Sequence, residues 1–257
     1  AGADVTGMPL RDHRIVIFGG GTAGIGIADL LRDTLVRQGV PREEAVAQFY
    51  ALDAATGSLA GTEQLWHVRW LAWLKAAYGE TGAAYELLEG AVAPAPDPEQ
   101  DPEGARVQSA LRYEQARLCV TRGDLDRALA LLEESLQLYE QLGDMQGKAA
   151  SLANMARVYR TRGDLDRALA LYRESLQLDE QLGDMQGKAA SLHEMAGVYR
   201  TRGDLDRALA LLEESLQLYE QLGDKQGKAA SLGNMAHIYL TRGDLDRALA
   251  LLEESLQ

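Results

Sequence analysis

The 257-residue sequence predicts a mainly α chain, a solenoid of antiparallel helix hairpins preceded by one incomplete βαβ fragment. Three observations predict it. The stretch Gly-Asp-Leu-Asp-Arg-Ala-Leu-Ala begins at Gly123 and returns at Gly163, Gly203 and Gly243, forty residues apart each time. Self-similarity at a fixed period of this size marks stacked supersecondary units, none of which buries its apolar face alone. The copies are nearly identical: Asp144–Gly183 and Asp184–Gly223 differ at six of forty positions, so they adopt one structure. Finally, a short β-branched run near the start leads into a glycine-rich turn and then a helical period.

That first segment, residues 1–56, opens with Arg14-Ile15-Val16-Ile17-Phe18 as a buried strand. It runs into Gly19-Gly20-Gly21-Thr22-Ala23-Gly24, and Ile25 to Gln38 follows with a helical period. Strand, glycine turn and helix is the setting that a dinucleotide-binding loop needs. Gly19, Gly21 and Gly24 permit the tight turn and the close approach of a pyrophosphate to helix-terminal N–H groups. A second strand, Phe49 to Leu52, ends in Asp53, placed to accept from a ribose hydroxyl.

These residues resemble the start of the NAD-binding domain of malic enzymes. The likeness is carried by Thr6-Gly7, Leu10, Asp12, Arg14, then Phe18 to Ala28, Val36-Arg37-Gln38-Gly39, Glu43-Glu44-Ala45 and Asp53. It implies a Rossmann-like fold, NAD as cofactor and oxidative decarboxylation of malate. In that family the metal-binding acids and the catalytic tyrosine and lysine precede this segment, and the other sheet strands follow it. One βαβ unit cannot cover both faces of its sheet. The segment therefore reads as vestigial, with Gly19, Gly21, Gly24 and Asp53 binding NAD only where another chain completes the site. No cofactor is expected for the chain by itself.

Residues 57–92 read as a degenerate helical hairpin capping the array. Trp66, Trp70 and Trp73 with Leu71 and Leu74 form an apolar stripe at helical spacing, and a second helix runs from Ala83 to Val92. Residues 93–103 hold four of the six prolines beside Asp97, Glu99, Asp101 and Glu103, the composition of an extended acidic linker. No proline follows Pro102, so helices can run uninterrupted through residues 104–257.

The repeats are 104–143, 144–183, 184–223 and a truncated 224–257. In the second copy Asp144 is an N-cap candidate, and Met145 to Arg162 keeps apolar or small residues at Leu152, Met155, Ala156 and Tyr159. Gly163 suits a left-handed C′ position and Asp164 a second cap. The following helix, Leu165 to Leu182, gathers Ala168, Leu169, Tyr172 and Leu176 on one side before Gly183 stops it. Leu152, Met155, Ala156, Tyr159, Ala168, Tyr172 and Ser175 resemble the tetratricopeptide repeat (TPR) pattern, in the longer forty-residue form of kinesin light chains and bacterial signalling proteins. The resemblance implies a TPR-like α-solenoid and a protein or peptide partner in its concave groove.

Apart from Met145 to Lys225 at the helix start and the conservative Val158 to Ile238, first-helix positions that differ between copies are 153/193/233, 154/194/234, 157/197/237 and 160/200/240, a spacing that puts them on one helical face. In the TPR family that face lines the groove. The candidate partner-binding residues are accordingly Tyr113, Arg117, Asn154, Arg157, Arg160, His193, Glu194, Arg200, Asn234 and His237. The mixture suits an extended or helical peptide bearing acids, held by hydrogen bonds to its backbone. Stacking predicts that Arg157 approaches Glu194 and that Arg117 approaches Asn154.

Other chemistry is sparse. A net charge of −13 argues against nucleic acid, because phosphate contacts need a basic face. No apolar run nears the ~20 residues of a membrane span, and no signal-peptide pattern precedes the first strand. The single Cys119 fits a reducing compartment and a core position, so a cytoplasmic location is expected. His13, His67, His193 and His237 show no metal-ligand spacing, and no nucleophile–base pair appears. Neither a metal site nor a catalytic residue is expected. Gln257 falls inside a second helix, so the last hairpin is expected to expose an apolar edge for end-to-end self-association.

Overall fold

A computed structural model describes residues 62–77 and 79–256 of the chain. The predicted strands, Gly19, Gly21, Gly24 and Asp53 lie outside the described residues, as do the side chains of Trp66, Trp70 and Leu74. Among the described residues there are ten helices, in two compact units that divide between Ala91 and Val92.

The first unit contributes a hairpin of α1 (Thr62–Ala77) and α2 (Thr81–Ala91). Gly79 takes φ +83° in the turn, a value that glycine adopts without steric penalty. Ala72, Ala84 and Leu88 are buried in this hairpin, and Lys75 pairs with Glu80 at 2.9 Å beside the turn.

The second unit holds four hairpins: α3 (Pro102–Arg122) with α4 (Leu125–Leu142), α5 (Met145–Thr161) with α6 (Leu165–Leu182), α7 (Met185–Thr201) with α8 (Leu205–Leu222), and α9 (Lys225–Thr241) with α10 (Leu245–Ser255). Each turn follows from the repeated Gly-Asp. Gly163 has φ +82° and the Asp164 carboxylate accepts from the Arg167 N–H at 3.2 Å. Between hairpins Gly183 has φ +67° and Asp184 accepts from the Gly187 N–H at 2.9 Å. Such caps satisfy backbone groups that a helix end otherwise leaves bare, each worth about 1 kcal/mol.

Within a hairpin, Ala156 and Ala168 are fully buried, and the small residues let α5 and α6 approach closely. Ser175 Oγ crosses the same seam to donate to the Ala149 carbonyl at 2.9 Å, as Ser135 and Ser215 do in their own copies. Between hairpins the core is continuous: Ala156, Tyr172, Met195, Leu212 and Ile238 belong to one apolar cluster spanning three repeats. Lysine ladders run along the outside. Lys188 bridges Glu180 at 3.0 Å and Glu214 at 3.1 Å, and Lys148 and Lys228 repeat the pattern. Exposed pairs of this kind contribute ~0–1 kcal/mol each, so apolar stacking dominates the array.

The proline segment is less free than its composition suggests. The buried Arg112 guanidinium donates to the Ala93 carbonyl at 2.7 Å, and the Gln108 side chain accepts from the Ala93 N–H at 2.9 Å. Asp101 caps α3 and Pro102 occupies its first turn, where a missing N–H costs nothing. The segment is therefore stapled along the first repeat rather than left as a spacer.

Candidate functional site

First helices touch one another along the stack, α3 with α5, α5 with α7 and α7 with α9, and so make one continuous face. The predicted variable residues fall on it, joined into three clusters. At the first junction the Asn154 amide donates to Tyr113 Oη at 2.6 Å and to the Ala150 carbonyl at 2.9 Å, while Arg157 donates to the Asn154 Oδ1. Burial, the largest influence on Tyr113, raises its pKa and keeps the phenol neutral. At the middle junction Arg160 pairs with Glu194 at 2.7 Å. At the third, the Asn234 amide donates to His193 Nε2 at 2.9 Å, leaving Nδ1 to donate to Ser231 Oγ at 3.2 Å. That pattern needs a neutral imidazole, and burial lowers the His193 pKa accordingly.

Two predicted contacts are corrected here. Glu194 is taken by Arg160 rather than Arg157, and Asn154 meets Tyr113 whereas Arg117 pairs with Glu114 at 2.9 Å. The register is the reason. Neighbouring first helices align residue i with i+41, as Tyr113–Asn154 and His193–Asn234 show, one helical turn from the expected i with i+37. At the middle junction Ala153 is too short to reach Glu194, and Arg160 fills in. Arg200 and His237 are exposed on the same face, and Arg200 makes no ion pair among the described residues.

A pocket of about 370 Å³ opens on this face, lined by residues of the first, second and third repeats. Its walls include Ala149, Ala150, Ala153 and Ala190, its rim Asn154, Arg157 and Glu194, and deeper within it lies Asp179. Asp179 is 4% exposed and accepts from Ser191 Oγ at 3.1 Å. Desolvation is the largest influence on it, and its pKa is raised to about 6. The equivalent positions hold Tyr139 and Tyr219, whose rings lie over Gly147 and Gly227. Where those copies have a ring, this one has a carboxylate over Gly187.

A tetratricopeptide repeat family matches residues 107–181 and 187–257, more than half of the sequence. The chain belongs to the tetratricopeptide repeat family. Among solved structures, BtubC from P. vanneervenii superposes with TM-score 0.63 at 19% identity, covering 90% of this chain and 87% of that one. A Podosopora anserina protein of kinesin light chain type, with nearly identical TPR-like repeats, gives 0.60 at 23% identity over 77% of this chain and 95% of its own. A Rap protein in complex with Competence and Sporulation Factor gives 0.63 at 12% identity over 91% and 70%. Separately, the NAD-binding domain of malic enzyme matches residues 1–71. NAD-dependent malic enzyme 3 of Bacillus subtilis is 57% identical over 51 residues, 20% of this chain and 9% of that enzyme. Malolactic enzyme of Lactiplantibacillus plantarum is 48% identical over 44 residues, 17% and 8%. The chain thus spans about a tenth of the length of the curated relatives it matches.

On the TPR framework, the sequence comparison of first helices missed Tyr172, Arg173 and Asp179. These are three of the six positions at which the second and third copies differ, all on a second helix. Tyr172 and Asp179 reach through the hairpin to line the pocket, and Arg173 donates to Tyr199 Oη at 2.9 Å. The signal was a tyrosine replaced by an acid at one copy only, Tyr139, Asp179, Tyr219.

Proposed function

We propose that the TPR array is a protein-interaction scaffold holding a peptide or partner helix across the face of α3, α5, α7 and α9. The observation that carries this is the placement of the variable residues: in copies otherwise almost frozen, changes gather on one face and around one pocket. Asn154 and His193 are already oriented by internal hydrogen bonds, while Arg200 and His237 remain exposed for a ligand. Pre-oriented polar groups on rigid helices lose little entropy on binding. The TPR fold is that of a non-enzymatic repeat protein, and a Rap protein of similar fold forms a complex with Competence and Sporulation Factor.

Selection from a random peptide library, with wild type beside Arg157→Ala and Arg200→Ala, tests the reading. Peptides whose affinity falls about tenfold with either arginine removed are expected, the loss of one charge-assisted hydrogen bond. Equal binding by all three chains overturns it. The acidic net charge makes nucleic acid an unfavourable partner. No described helix is long and apolar enough to cross a membrane. A cytoplasmic location fits the single, buried Cys119.

A second reading, binding of NAD through Gly19, Gly21, Gly24 and Asp53, rests on the malic enzyme match at residues 1–71. It calls for a further chain to complete the sheet, and no malate decarboxylation by this chain is proposed. Calorimetric titration tests it; saturable micromolar binding of NAD to the isolated chain would overturn the need for a completing chain. Self-association through α10 is a further proposal, supported by the exposure of Leu245, Leu249 and Leu252.

A further inference from the structure

Asp179 is the anomaly of the array. Its counterparts Tyr139 and Tyr219 pack so closely on the following helix that a Cβ on Gly147 or Gly227 would stand 2.4 Å from the ring. In the second repeat that ring is missing, and the space it leaves is continuous with the pocket. Burying a carboxylate in place of an aromatic ring is costly unless a counter-ion answers it. Asp179 has one hydroxyl donor, Ser191, and a like charge, Asp184, as its neighbours. No basic side chain among the described residues pairs with it, although Arg117 and Arg157 stand elsewhere on the lining.

A second, independent feature points into the same space. Tyr172, another departure from the other copies, is 1% exposed and its hydroxyl has no hydrogen bond of good geometry. Burial and then the Glu194 charge push its pKa upward, so it stays protonated and offers acceptor lone pairs. The pocket therefore combines an alanine-lined shaft, an unanswered carboxylate and a buried phenolic oxygen beside Glu194 whose lone pairs can accept.

We infer that this pocket receives a lysine side chain of a partner polypeptide, its ammonium pairing with the Asp179 carboxylate. The inference rests on the groove reading for its partner. A lysine stem is four methylenes long and suits the walls of Ala149, Ala150, Ala153 and Ala190. One Asp179 oxygen is already engaged by Ser191, so a point charge fits the site better than the bidentate fork of arginine. Glu194 at the rim is already paired with Arg160, so the cation's partner is Asp179, and the conversion of tyrosine to aspartate trades local stability for that recognition.

The test uses the whole chain and two probes, N-acetyl-lysine methylamide and its norleucine analogue, the same stem without charge. Carbon-detected NMR follows the titration of the Asp179 carboxyl. With the lysine probe the carboxyl is expected to titrate well below its free value of about 6. At fixed pH the ratio of protonated to ionised carboxyl should fall about tenfold or more. Norleucine should leave the titration in place. Asp179→Tyr, which restores the residue of the other copies and so keeps the fold, should remove every probe-induced change in the Gly187 and Ser191 resonances. An Asp179 titration unmoved by lysine, or moved equally by norleucine, overturns the inference. Library peptides without a fixed lysine, still bound by Asp179→Tyr, overturn it while the groove reading stands. A chain that selects no peptide yet responds to the lysine probe overturns the groove and leaves the pocket as an amine site.

Discussion

The Arg160 guanidinium reaches the Glu194 carboxylate of the next repeat at 2.7 Å, over a point where Gly197 has no side chain. A Cβ at Gly197 would stand 2.9 Å from Arg160 Nη1, so this glycine clears the path. The pair thus depends on three exchanges: Ala153 cannot reach Glu194, Glu194 supplies the acid, and Gly197 makes room. Both side chains are 31% exposed, so solvent screens the attraction. A double-mutant cycle with Arg160→Ala and Glu194→Ala should give a coupling of about 0.5 kcal/mol, vanishing at high salt. Its worth is to orient Glu194 toward the pocket.

Two glycine substitutions should have opposite signs. Gly147 sits in α5 under the ring of Tyr139, so Gly147→Ala must displace an aromatic side chain from a packed seam. A loss of about 1–3 kcal/mol is expected from overpacking. Gly233 sits within α9 with nothing within 4 Å of its Cβ position. There Gly233→Ala should gain roughly 0.5–1 kcal/mol from helix propensity alone. Urea midpoints at constant m-value would check both; a stabilised Gly147→Ala would contradict the ring placement.

The array was legible in the sequence because its signals are local and repeated. Gly163 and Asp164 specify a turn by themselves, and Ala156 with Ala168 specifies a close crossing. The face of the variable residues followed from helical period alone. The register between first helices did not, because the i to i+41 alignment depends on how whole hairpins stack, a long-range property no repeat motif encodes. Nor did Asp179: it lies on a second helix and acts on the face only because α6 packs behind α5 and α7. The exchange of Tyr139 and Tyr219 for Asp179 was visible as a departure, but its meaning needed the pocket.

The exposed leucines of α10 make a prediction about association. Leu209 of α8 is 7% exposed because the next hairpin covers it, whereas its counterpart Leu249 is 58% exposed. The same stacking surface is thus bare at α10. Size-exclusion chromatography with light scattering over a concentration series should show a rising average mass. Leu249→Glu with Leu252→Glu should return the chain to a monomer, since charge on a stacking face opposes burial. A monomer at all concentrations before mutation would remove the proposal.

The pH dependence of stability should single out Asp179. Its carboxyl titrates at about 6 in the folded chain against 3.8 for an ordinary aspartate, chiefly through desolvation. The folded state therefore binds this proton more tightly than the unfolded state. Stability supplied by the neutral acid is fully present below the unfolded value and is lost as pH rises through the folded one. Wild type compared with Asp179→Asn, whose side chain has the same shape and no charge, isolates the effect. The two should differ little at low pH. The variant should gain about 2 kcal/mol over wild type as pH passes from about 4 to about 7, solvent access trimming the full linkage value. Asp179→Tyr should show the same pH trend with an added, pH-independent gain of about 1 kcal/mol from filling the pocket. A stability difference that stays flat across this range would mean the carboxylate is already answered by a charge within the fold, leaving no vacancy for a partner's cation.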